Sequence, residues 1–275
     1  MLMRALIIAV GVFAASGAAA GKVTIGGTGA AAAMFETLAA RYAAAAPDDG
    51  VEVVRGLGSG GGIAAAAEGA LQIALSSRPL KPDERARGVV DAPFLDTPFV
   101  FVTSHPKAQS LARADIAAIY EGRKRTWADG AEIKPILRPR SDSMTPWMAQ
   151  NLPGVGPAME KLRARPEVPV AATDHDNIQM AEAVPNSLAP ATLMQILAER
   201  PRLRLVAIDG VEPSLAAMQG GAWRDAFRVW IVTAQAPDAA TRRFLDWLRT
   251  PEAVEILREN GAAPVEPAGP LAHVN

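Results

Sequence analysis

Lys22-Val23-Thr24-Ile25-Gly26-Gly27-Thr28-Gly29-Ala30 is the stretch on which the fold turns. A short β-type run enters a glycine-threonine turn, and an alanine-rich stretch of helical composition follows to about residue 46. The same sequence of strand, tight turn and helix comes again at once. Residues 51–54 are β-rich, Gly56-Leu57-Gly58-Ser59-Gly60-Gly61-Gly62 is almost all glycine and serine, and residues 63–69 read as a short helix. Residues 71–75 supply a third strand. Strand and helix alternating from the start predict an α/β fold with a mostly parallel sheet.

The alternation continues outward. Residues 94–103 are nearly continuously apolar, as a buried strand requires. A helix is expected over 115–121, stopped by Gly122, then a strand at 133–137, a polar turn and a helix from Pro146. Further strands are expected at 168–172 and 203–208, with a helix over 177–184 between them. A second apolar run spans 227–233, and two amphipathic helices, 239–248 and 251–259, end at Gly261. The tail from Pro264 is rich in proline and reads as irregular.

The first twenty residues have the character of a secretory leader: Arg4, an apolar stretch over 5–15, then Ser16-Gly17-Ala18-Ala19-Ala20 as a cleavage region. That apolar stretch is shorter than the roughly 20 residues a bilayer span needs. A signal peptide over 1–20 is therefore expected. Cysteine is absent, which excludes disulfides, thiolate metal sites and a lipid-modified N-terminal cysteine. An exported chain without such a tether is expected in the periplasm. The net charge of −1 gives no bulk electrostatic case for nucleic acid, so an anion would have to be held by local groups.

Three polar loops each follow a strand and open a helix: Thr28-Gly29-Ala30, the run from Gly58 to Gly62, and Ser143-Met144-Thr145. A helix start offers unpaired N–H groups and about half a positive charge, and glycine lets an anion approach the backbone. Each loop alone is equally an ordinary cap or turn. The glycine run asks for a backbone reason, because glycine costs roughly 0.5–1 kcal/mol relative to alanine in regular structure. Arg138 precedes the third loop, and its planar fork suits an oxyanion; Arg140 falls on the same strand face, so periodicity does not choose between them. Thr173-Asp174-His175-Asp176-Asn177 reads as a helix cap, with metal binding the alternative, and His105 and His273 read as surface residues. An enzyme reading rests on Gly27-x-Gly29-x-x-Ala32, a dinucleotide-type fingerprint with Arg55 ending the second strand; it leaves the second glycine loop without a role.

Taken in order, these segments resemble the phosphate-binding proteins of ABC transporters, the PstS-like periplasmic solute-binding proteins. The likeness is carried by Gly27-Thr28-Gly29-Ala30, by Gly56-Leu57-Gly58-Ser59-Gly60-Gly61-Gly62-Ile63, and by Ser76-Ser77-Arg78-Pro79-Leu80. It extends through Ile119-Tyr120-Glu121-Gly122 to Trp127, through Arg138 with Ser143-Met144-Thr145, and through Ile208-Asp209-Gly210-Val211-Glu212-Pro213 to the closing helices. The resemblance implies a two-lobed periplasmic-binding-protein fold of type II with two crossing hinge strands, near Phe99 and Val229. Lobe 1 would hold residues 21–98 and 226–275, and lobe 2 residues 99–225. It further implies a cage of Thr28, Gly29, Ala30, Ser59, Gly60, Ser77, Arg138, Ser143, the Met144 backbone and Thr145. Such a protein would capture phosphate between the lobes as a monomer and deliver it to a membrane permease, with no cofactor, metal or nucleic acid involved. Sulfate or molybdate as the ligand, or a sensing role, are the alternatives. Two departures stand out. Ser77 replaces the aspartate that in many members accepts the phosphate proton, leaving Asp142 as the nearest candidate, and Met144 stands where glycine is usual.

Overall fold

The computed structural model describes residues 21–107 and 109–265. The expected leader over 1–20 and residues 266–275, with His273, lie outside the described residues; Pro264, the expected start of an irregular tail, lies in a short strand. In chain order the elements are β1 (Lys22–Gly27), α1 (Ala32–Ala45), β2 (Gly50–Val54), α2 (Gly58–Ala67), β3 (Ile73–Ser76), α3 (Pro82–Arg85), β4 (Val89–Thr103), β5 (Gln109–Leu111) and α4 (Arg113–Tyr120). There follow β6 (Lys134–Pro135), α5 (Met144–Asn151), α6 (Val155–Arg163), α7 (Asp174–Ala183), β7 (Ser187–Thr192), α8 (Leu193–Glu199), β8 (Arg204–Ile208), α9 (Leu215–Gln219), β9 (Ala226–Ala234), α10 (Ala239–Trp247), α11 (Pro251–Glu259) and β10 (Ala263–Pro264).

The sheet runs β2-β1-β3-β9-β4-β7-β6, with β10 and β8 also on β4 and β5 on β8. The β1–β2, β1–β3, β5–β8 and β6–β7 pairs are parallel, as helix-linked strands should be. The β3–β9, β4–β9, β4–β7, β4–β8 and β4–β10 pairs are antiparallel. The sheet is thus mixed rather than mostly parallel, because the long apolar strands return against their neighbours.

β4 joins the two halves of this sheet. It pairs β9 as far as Pro98 opposite Ala226, then pairs β7 from Phe99 opposite Thr192. The chain comes back beside that crossing: the Phe99 N–H donates to the Asp225 carbonyl at 2.7 Å, and Trp223 Nε1 donates to the Phe99 carbonyl at 3.0 Å. Thr97, fully buried, donates to the Gly261 carbonyl at 2.9 Å and accepts from the Met194 N–H at 3.1 Å. Here α8 and the C-terminal helices are tied to the same point on β4.

The helices bury predictable faces. On α1, Met34, Phe35, Leu38 and Tyr42 recur at helical spacing and are buried against Phe94, Phe244 and Trp247. α10 and α11 begin at Asp238 and Thr250, whose side-chain oxygens accept from the N–H three residues on, and Pro251 takes the first helical position. Other expectations change as well. The glycine run is the first turn of α2 rather than a loop ahead of it, and residues 168–172 contribute a single bridge, Leu137 to Val170. His105 is buried, not at the surface: Trp127 packs on its ring, its Nε2 lies 3.1 Å from Asp129, and Nδ1 meets the Lys107 N–H and Gln109.

Candidate functional site

Four helix starts border one cleft of about 460 Å³. The first grows from β1. Gly27 has φ +133°, and a methyl group on it would lie 2.0 Å from the Leu75 carbonyl oxygen, so only glycine fits. The chain then turns, the Thr28 N–H donates to the Leu75 carbonyl at 2.8 Å, and a 3-10 turn over Gly29–Ala31 leads into α1. The second start is that of α2. Gly62 packs on β1 so closely that a methyl would lie 2.6 Å from Gly27 Cα. Gly60 differs: nothing lies within 4 Å of where its methyl would stand, and its φ is outside the left-handed region. Neither packing nor backbone conformation asks for glycine there. Ser59 Oγ accepts from the Ser77 N–H at 3.1 Å and lies 2.9 Å from Ser77 Oγ, so the end of β3 is hooked to the start of α2.

The third start is α5, with Arg138, Pro139, Ser141, Asp142 and Ser143 along the cleft. Arg138 is 3% exposed, which no solvated surface arginine would be. Arg140 points elsewhere, paired with exposed Glu160 at 2.9 Å. Nη1 of Arg138 donates to the carbonyls of Ala171, at 2.9 Å, and Thr173. Nη2 meets Asp142 Oδ2 at 2.6 Å and Asp174 Oδ1 at 3.2 Å. Nε has no hydrogen-bond partner among the described residues. Asp142 also accepts the Met144 N–H on Oδ1 at 3.0 Å, so it clamps the arginine to the first turn of α5.

The fourth start is α7. Thr173 caps it as the sequence suggested: its hydroxyl accepts from the Asp176 N–H at 3.1 Å while Asp176 accepts from the Thr173 N–H at 3.0 Å. Asp174, next in line, is buried on the cleft wall. Burial first, then the Asp142 charge, pushes its carboxyl up to about 6, against the opposing pull of Arg138.

Of the residues singled out in the sequence, Thr28, Gly29, Ser59, Gly60, Arg138, Asp142 and Ser143 line the cleft. Ser77 stands behind Ser59. Ala30 and Met144 are buried away from it, the Met144 N–H being taken by Asp142. Met144 occupies the glycine position without strain, since it has no positive φ. Thr145 is also set back, its hydroxyl donating to the Pro139 carbonyl at 2.9 Å. Asp174, Thr173, His175, Ser141, Arg55 and Leu57 line the cleft without having been singled out for it. The capping signal at Thr173 was the clue to Asp174, because it marked another helix start. Arg55, the residue the dinucleotide reading needed, grips Glu36 with two hydrogen bonds of 2.6 Å.

A family model described as a PBP superfamily domain matches residues 13–252. The chain belongs to the PBP superfamily. Among curated proteins it is similar to phosphate-binding protein PstS 2 of Streptococcus pneumoniae, 31% identical over 107 residues. That alignment covers 39% of this chain and 36% of the relative, so it spans about a third of the relative's length. Among solved structures, a putative phosphate ABC transporter substrate-binding protein from Clostridium perfringens, with bound phosphate, superposes with TM-score 0.76 at 18% identity. The match covers 89% of this chain and all of that one. The periplasmic molybdate-binding protein of Azotobacter vinelandii gives TM-score 0.59 at 14% identity, covering 89% of this chain and 99% of that one. These likenesses establish the two-lobed binding-protein fold.

Proposed function

We propose that this chain captures phosphate in the cleft between two α/β lobes, residues 21–98 with 226–275 and residues 99–225, and hands it to a membrane ABC permease. It works by binding and release, as an exported periplasmic protein acting as a monomer. The observation that carries the reading is the convergence of the α1, α2 and α5 starts and the buried guanidinium of Arg138 on one hollow. N–H groups at helix starts have no partners within their own helices, and they attract anions at little formal charge. The open flank of Gly60 lets an oxygen reach the α2 backbone, with the Ser59 hydroxyl beside it. Arg138 supplies positive charge from the buried side of the cleft. The relatives named for phosphate, in Streptococcus pneumoniae and Clostridium perfringens, support the choice of ligand.

Calorimetric titration of the purified protein with phosphate, sulfate and molybdate tests it. Phosphate should bind far more tightly than the other two. Arg138→Lys, which keeps the charge and loses the fork, should weaken phosphate binding by tenfold or more. Equal affinity for sulfate or molybdate would reassign the ligand, and unchanged affinity in the lysine variant would remove Arg138 from the site.

A further inference from the structure

The carboxylate of Asp174 stands where the proposed site offers its donors. Oδ1 lies 3.2 Å from Arg138 Nη2, and the Gly29 N–H hydrogen-bonds the same side chain. Oδ2 fills the space beside Gly29 so closely that a methyl on that glycine would be 2.5 Å away. Two donors assigned to the ligand, one at the start of the first turn and one on the buried arginine, are thus met by a carboxylate of the protein itself. We propose that Asp174 is a built-in occupant of the oxyanion donors, and that phosphate enters only together with one proton from solvent, which ends between the Asp174 carboxylate and a ligand oxygen. This inference rests on the oxyanion reading of the cleft.

The charge balance requires it. One guanidinium, Arg138, faces two carboxylates, Asp142 and Asp174. A dianion brought against this group meets a surplus of negative charge in a buried wall, where a like-charge contact is screened least. One proton removes one negative charge and turns the carboxylate–anion contact into a hydrogen bond. No covalent bond in the ligand breaks: dibasic phosphate and a solvent proton enter, and both are released together.

Asp142 is not the group that shares this proton. Its Oδ2 is bonded to Arg138 at 2.6 Å and its Oδ1 to the Met144 N–H at 3.0 Å. Ser77 carries no charge and is hooked to Ser59. Asp174 is the group suited to it: burial and the neighbouring carboxylates favour its protonated form, against Arg138 and the Gly29 N–H. Asp142 faces it from the loop before α5, with Arg138 in opposition, and Glu199 adds negative charge from α8, whose Gln195 amide meets the Asp174 carbonyl at 3.3 Å. On its own helix, His175 Nδ1 lies 3.7 Å from Glu199, and Asp176 is engaged in the Thr173 cap. Arg55 Nη1 lies 3.8 Å from the other Glu199 oxygen.

Calorimetry with inorganic phosphate, in buffers of differing ionisation heat from pH 5.5 to 8.5, counts the protons. At pH 8.5, where free phosphate is dibasic, the wild-type protein should take up about one proton per phosphate and Asp174→Asn close to none. The ratio of wild-type to variant Kd cancels the titration of the ligand itself, and it should rise about tenfold per pH unit above the Asp174 range. A flat ratio with no proton uptake overturns the proposal while phosphate binding stands. Failure of both proteins to bind phosphate, sulfate and molybdate overturns the cleft reading and the proposal with it. Should the variant not fold, the wild-type count decides: about one proton supports the proposal, none refutes it.

Discussion

Gly62→Ala and Gly60→Ala, two positions apart on one helix, should weaken phosphate binding alike but differ in their effect on stability. The methyl at Gly62 would lie 2.6 Å from Gly27 Cα and 3.2 Å from the Gly26 carbonyl oxygen. Both are backbone atoms of β1, so no side chain can rotate away and the start of α2 must lift off the strand. Overpacking of this kind costs about 1–3 kcal/mol, from which up to about 1 kcal/mol of better helix propensity is recovered. The net loss is on the order of 1–2 kcal/mol, a fall of about 2–8 °C in Tm for a chain of this size. Moving the α2 start also misplaces Ser59 and Gly60 relative to Arg138, so phosphate affinity should fall with stability. At Gly60 the methyl enters open space. Stability should hold or rise by up to about 1 kcal/mol, while phosphate binding weakens because the methyl occupies the path to the backbone. Urea unfolding followed by tryptophan fluorescence, with phosphate titration on the same samples, separates the two. Gly62→Ala as stable as wild type, or Gly60→Ala binding phosphate as tightly as wild type, would refute the assignment of these glycines.

Asp49 accepts from the Tyr42 hydroxyl at 2.8 Å and from Arg243 Nε at 2.8 Å, and these contacts hold its carboxyl far below the usual carboxylate range. A depressed native ionisation stabilises above the unfolded value and is lost as the pH falls below about 4; Asp49→Asn should therefore flatten the acid limb of a Tm–pH curve and lower its neutral plateau. Arg113 binds buried Asp225 with two hydrogen bonds of 2.7 and 2.6 Å, beside the point where the chain returns along β4. Arg113→Ala should cost about 1–3 kcal/mol in urea unfolding, because Asp225 is left without its countercharge.

The fold was legible where backbone chemistry leaves few options. Gly27 and the glycine run marked the β1 turn and the α2 start, and the apolar runs marked β4 and β9, because buried strands read as unbroken hydrophobic stretches. The direction of pairing was not legible: nothing in residues 226–234 tells that they lie antiparallel to β3 and β4. Local patterns also placed Thr28, Ser59, Arg138 and Ser143 at helix starts and a strand end, and these do share a cleft. Asp174 escaped because its meaning depends on Arg138, 36 positions back, and on Gly29, from an opposite wall. The burial of His105 is hidden from the sequence for the same reason: Asp129 and Trp127, which hold it in the interior, lie in another loop. Short-range signals find caps and turns; partners brought together by the sheet are invisible to them.

A crystal structure grown with phosphate is the most direct test. Tetrahedral density is expected in the cleft, with oxygens about 2.7–3.2 Å from the Gly60 N–H and from a nitrogen of Arg138. Phosphate bound elsewhere, or a cleft holding only water at saturating phosphate, would contradict it.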